Sequence, residues 1–145
     1  MEEKFELLEQ VHHDASMGAY TIQKLLDNLK DRDNKIKAYA EEIMQKYQEF
    51  EMDSRKILEE NNKEVADPSM MAKMGSSMGI NKEVKADNSD SAIADMLIKG
   101  ISTGSVEIEK KLKAYEKEVD KEHKKIAHDY LKFQEKAIDK LKKYL

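Results

Sequence analysis

The chain has 145 residues, 39% hydrophobic and 39% charged, with a net charge of -4, 5 Gly, 1 Pro and no Cys. That length suits one domain, and so few helix breakers exclude a sheet protein, which needs many more turns. The lack of cysteine excludes disulfides, thiolate metal sites and cysteine nucleophiles, and no apolar run approaches the roughly 18 residues of a membrane span.

The opening Met1-Glu2-Glu3-Lys4 runs into an amphipathic pattern without the apolar core of a signal peptide, so the cytoplasm is the expected location. From about Glu3 to Leu29, Phe5, Leu8, His12, Ala15, Ala19, Ile22, Leu26 and Leu29 recur at steps of 3 and 4, with Val11, Gly18 and Leu25 beside them. This is the pattern of a long helix with one buried face. Asp31-Arg32-Asp33-Asn34 interrupts it and offers cap residues for a second helix, from about Asn34 to Lys63. The second stripe is Ile36, Ala40, Ile43, Tyr47, Phe50, Ser54 and Ile57, flanked by Met44 and Leu58.

Residues 64–87 form a crossover. Asp67-Pro68 reads as an N-cap followed by proline in the first helical position, and Gly79 as a stop, so a short helix is expected, with Asn81–Asp87 extended or irregular. Met70, Met71, Met74 and Met78 share one face of that helix. Three readings of them stand open: flexible side chains filling gaps against the bundle, an exposed surface for a partner or a second copy, or thioether capture of Cu(I).

The third long segment runs from Asn88 to about Tyr115 with Ile93, Leu97, Ile101 or Gly100, Gly104, Ile108, Leu112 and Tyr115 inward, and the fourth from about Val119 to Tyr144 with Val119, His123, Ile126, Tyr130, Phe133, Ala137 and Leu141 inward. Residues 110–145 hold 12 Lys against 7 Asp and Glu, interleaved as on a solvated helix face. The only arginines are Arg32 and Arg55 and there is no Trp, which argues against nucleic-acid readout.

The two halves echo each other at an offset of 86, where Ser16-Met17-Gly18 meets Ser102-Thr103-Gly104, Ile22 meets Ile108 and Tyr47 meets Phe133. Glycine inside a helix costs roughly 1 kcal/mol relative to alanine. Gly18 and Gly104, both on inward faces, are therefore expected to let the first and third long helices approach closely. The predicted architecture is all-α: one four-helix-bundle domain over 1–145, with a hairpin over 3–63, the crossover over 64–87 and a second hairpin over 88–145.

Two hairpins joined by a long middle connection resemble the ferritin-like superfamily. The segments His12-His13-Asp14-Ala15-Ser16-Met17-Gly18 and Asp87-Asn88-Ser89-Asp90-Ser91-Ala92-Ile93-Ala94-Asp95-Met96 resemble small bacterial ferritin-like bundles. The resemblance implies a di-metal carboxylate centre built from inward Glu and Glu-x-x-His. The inward stripes here lack mid-bundle carboxylates, which argues against a ferroxidase or oxygenase. What remains is Glu9-x-x-His12 and Asp120-x-x-His123, each pair on one helical face. With the ferritin-like crossover, the two histidines would differ in height by roughly 5 Å and form an end-of-bundle site for Fe, Mn or Zn; otherwise they are hydrogen-bonded core histidines. There is no phosphate loop and no serviceable Ser-His-Asp set. The leading expectation is a non-enzymatic bundle that acts by association, as a homodimer or with a protein partner. The alternative is a metal-binding protein.

Overall fold

The computed structural model describes residues 3–145, and Met1-Glu2 lies outside them. The described residues form five α-helices and a closing 3-10 turn over Lys142–Tyr144, with no strand among them. The helices are α1 (Glu3–Asn28), α2 (Ile36–Glu60), α3 (Met70–Ala86), α4 (Asp90–Tyr115) and α5 (Lys121–Leu141). None of them is long and apolar enough to cross a membrane.

The predicted stripes become one core. Ala15, Ile22, Leu25 and Leu29 of the first stripe meet Ile36, Ala40 and Ile43 of α2, Ile93, Ile101 and Ile108 of α4, and Tyr130, Ala137 and Leu141 of α5. A smaller cluster of Phe5, Leu8, Ile57 and Leu58 closes one end between α1 and α2. Fully burying an aliphatic side chain of this kind contributes roughly 1.5–3 kcal/mol, so the period of the apolar residues decides the architecture.

Contacts along α1 give the direction of every other helix. Ser16 of α1 donates to Glu51 of α2 while Phe5 and Leu8 meet Ile57 and Leu58, so α2 runs antiparallel to α1. Glu6 accepts from Tyr115 at 2.6 Å and pairs with Lys111, whereas Asn34, beyond the end of α1, reaches Asp90, so α4 is also antiparallel to α1. His123 bonds Lys4 and Tyr130 bonds Asp14, so α5 runs parallel to α1. α3 lies along α1 in the same direction: Thr21 bonds Ser76 at 2.7 Å and Asn28 donates to Asn81 at 2.8 Å. The crossover thus traverses the length of the molecule.

Two helix starts differ from expectation. α3 is capped by Ser69, whose hydroxyl accepts from the Ala72 N–H at 3.1 Å, rather than by Asp67, which instead pairs with Arg55 at 2.7 Å. The helix also runs through Gly79 and over 81–86 to Ala86, where irregular chain is expected, because Ile80 and Val84 are one turn apart and both bury in the core. A glycine penalty of about 1 kcal/mol is smaller than that burial. At the start of α2 no side chain caps the helix. Asn34 spends its amide on the Asn88 carbonyl and the Asp90 carboxylate, both at 2.9 Å, and so ties the turn after α1 to the start of α4.

The methionines of α3 do not fill gaps. Met70, Met71, Met74 and Met78 are 75%, 83%, 59% and 67% exposed.

Candidate functional site

The centre of the molecule holds a polar cluster on four helices. Tyr130 of α5 donates its hydroxyl proton to Oδ2 of Asp14 on α1, and the Gln134 amide donates to the same oxygen at 3.2 Å. Gln134 in turn accepts from the Ser105 hydroxyl of α4 at 2.9 Å. Tyr47 of α2 completes the group, its ring centroid 6.0 Å from that of Tyr130 and 5.1 Å from that of Phe133. Tyr130 and Gln134 are fully buried. Two donors on one carboxylate oxygen offset the loss of water around a half-buried acid.

The glycines expected to bring two helices together do something else. A Cβ on Gly104 would collide with the Asp14 carboxylate, and one on Gly18 would stand 2.8 Å from the Tyr47 ring. Each glycine vacates room for one large polar side chain of the cluster. The missing Cβ atoms serve the site rather than a helix–helix backbone approach.

Burial raises the Asp14 carboxyl above its ordinary value, and the hydrogen bonds from Tyr130 and Gln134 with nearby His13 offset part of that rise. The Tyr47 and Tyr130 hydroxyls are raised by burial first and by the Asp14 charge second, so both stay protonated as donors. Asp14 is the mid-bundle carboxylate that the inward stripes were expected to lack. It lies three residues after Val11 and four before Gly18, on the flank of the stripe. That spacing is the signal that marks it.

Asp14 and Tyr47 lie at one side of a pocket of about 170 Å³ between α1, α3 and α4, walled by Met17, Ile80, Met96 and Gly100.

The residues expected to hold a metal separate. His123 is buried beside Phe5, ring centroids 5.4 Å apart, and its Nδ1–H donates to the Lys4 carbonyl at 3.2 Å. His12 lies eight residues beyond Lys4 on α1, about 12 Å further along the axis. Asp120 is the N-cap residue of α5 and makes no side-chain capping bond. Glu9 and His12 do share a pocket of about 260 Å³ with Glu6, His13 and Glu64, but no three His, Asp or Glu groups among the described residues converge where they could hold a metal ion. His12 is buried with Nε2 lacking a hydrogen-bond partner, and burial, followed by the Arg55 charge, lowers its pKa. His123 docks beside the first turn of α1, while His12 faces the end of α2.

Set beside known proteins, the chain matches no family model, no curated protein and no solved structure.

Proposed function

We propose that this protein works by association, and that the methionine face of α3 is the surface on which a second copy docks. The observation that carries the reading is the exposure of Met70, Met71, Met74 and Met78 on a helix whose other side is anchored by Ile80 and Val84. A water-facing row of four methionines has no role in the chain's own packing. Thioethers on unbranched stems adapt to a partner surface and suit self-association. Four methionine side chains make a smaller patch than the roughly 800 Å² per partner of a standard interface. The expected dimer is therefore concentration-dependent rather than obligate.

We further assign the helix arrangement to the ferritin-like kind. Its support is the pairing of directions, α1 with α5 and α2 with α4, and a crossover that travels the full length between the two hairpins. In this reading the mid-bundle position holds a tyrosine–carboxylate–glutamine cluster in place of a di-metal set.

Sedimentation velocity over a concentration series tests the association. The wild type is expected to shift from monomer toward dimer as concentration rises, and Met71→Glu/Met74→Glu to stay monomeric with unchanged helical circular dichroism. A wild type that remains monomeric at its solubility limit, or a double variant that dimerises as readily, refutes the reading. A stable complex with a different protein on the same face would replace the second copy with that partner.

A further inference from the structure

The pocket beside Asp14 has a composition that packing alone does not explain. Its walls are apolar, supplied by Met17, Ile80, Met96 and the Tyr47 ring, yet a carboxylate lies in it. Both donors that reach Asp14, from Tyr130 and Gln134, converge on Oδ2. Oδ1 accepts no hydrogen bond from the described residues, and it is not among their sealed, unsatisfied atoms. No Lys or Arg among them pairs with Asp14 either. A carboxylate withdrawn from water without a counter-ion is costly, and Asp14 is half-buried, its Oδ1 against Gly104 and its side chain part of the wall of the cavity.

We propose that this pocket binds a small organic ammonium ion, with its charged nitrogen on Asp14 Oδ1 and an apolar body no larger than one ring against Ile80, Met96 and Tyr47. Three features select that class. A pocket of about 170 Å³ matches a single ring, since cavities of roughly 150 Å³ accept benzene, and is too small for the 300–1,000 Å³ ligands of ordinary cofactor sites. The one charged group that lines it is an acid, which selects a cation. Tyr47 adds an aromatic ring to the lining, and aromatic rings attract cations.

The protonation balance follows. Bound ammonium stabilises the carboxylate, so binding releases the Asp14 proton wherever that proton is still held. Affinity therefore rises with pH until Asp14 is ionised in the free protein, and then levels. The titratable groups facing Asp14 are His13 from α1, Tyr47 from α2 and Tyr130 from α5, while α3 and α4 bring only uncharged side chains to the pocket.

Two variants separate charge from shape. Asp14→Asn removes the charge but keeps an oxygen for Tyr130 and Gln134. Gly100→Leu adds bulk at the rim of the pocket, which Gly100 lines from an exposed position where a Cβ meets nothing within 4 Å. The test is a titration of benzylamine, with toluene and benzoate as comparators, into protein carrying isotope-labelled methionine methyls, read at Met17 and Met96. Benzylamine is expected to saturate the shifts at those two methyls and to bind about tenfold more tightly than toluene, the worth of one charge-assisted hydrogen bond. Benzoate is expected to give none. Asp14→Asn should erase the preference for benzylamine, and Gly100→Leu, by narrowing the mouth of the pocket, should weaken binding of both benzylamine and toluene. The proposal is overturned if toluene binds as well as benzylamine, if Asp14→Asn binds benzylamine unchanged, or if no probe moves Met17 or Met96 in the wild type.

Discussion

Three glycines of the two longest helices meet different surroundings, and the difference is testable residue by residue. Gly104 faces the Asp14 carboxylate and Gly18 the Tyr47 ring, whereas Gly100 faces open space. Gly104→Ala must displace a carboxylate from its two donors and should cost about 2 kcal/mol or more. Gly18→Ala must move the Tyr47 ring, which is buried among other aromatics, for a cost of roughly 1–3 kcal/mol. Gly100→Ala should stabilise the helix by up to about 1 kcal/mol. Urea denaturation midpoints of the three variants provide the check: equal shifts for Gly100→Ala and Gly104→Ala would contradict the packing described. The sequence marks Gly18 and Gly104 as purposeful by their inward positions and their equivalence across the repeat. It does not say what fills the vacated space, because the occupant of each comes from a different helix. Asp14 escapes for a similar reason. On a helical wheel an acid at the edge of a stripe looks solvated, and only the arrival of Tyr130 and Gln134 from α5 makes it internal.

At the scale of elements, the four long helices are legible in the apolar period to within a few residues at each end. Ile36–Glu60 stands against an expected Asn34–Lys63, and Asp90–Tyr115 against Asn88–Tyr115. Helix ends are set by single hydrogen bonds, which pattern does not resolve. α3 was the least legible element. Its two buried residues, Ile80 and Val84, are too few to make a period, and its glycines argue for a stop. The same sparseness makes α3 the least anchored helix. Ile80→Ala/Val84→Ala removes both apolar anchors, at a cost of about 2–5 kcal/mol for a large deletion in a core. The loss should be local: hydrogen exchange is expected to accelerate over Met70–Ala86 while α1, α2, α4 and α5 keep their protection. Uniform acceleration over all five helices would show that α3 folds with the rest as one unit.

At the scale of the whole molecule, two titratable groups, the buried His12 and the half-buried Asp14, shape stability against pH with opposite signs. His12 has its pKa lowered from 6.5 in the folded state. Its contribution is present above 6.5 and is lost as pH falls through the folded value, since the unfolded chain then binds the extra proton. Asp14 has its carboxyl raised from 3.8. Its contribution is present below 3.8 and is lost as pH rises through the folded value. Both therefore favour the uncharged form inside. His12→Leu should flatten the acid limb that begins near 6.5, and should itself be neutral or stabilising by roughly 1 kcal/mol, because it removes an unpartnered buried nitrogen. Asp14→Asn should gain on the wild type as pH rises through the Asp14 transition and then hold a constant difference. Thermal unfolding from pH 4 to pH 8 separates the two. A His12→Leu variant whose acid limb parallels the wild type would show that His12 does not set it.

The fit between Asp14 and Gly104 has a consequence for descent. Two positions ninety residues apart share one volume, so neither can drift alone: a lineage that acquires a side chain at 104 must first surrender the acid at 14, and one that shortens 14 frees 104 to change. Among related chains the pair should therefore be inherited together or exchanged together, and a chain that kept the aspartate without the glycine would have had to rebuild the middle of its bundle around it.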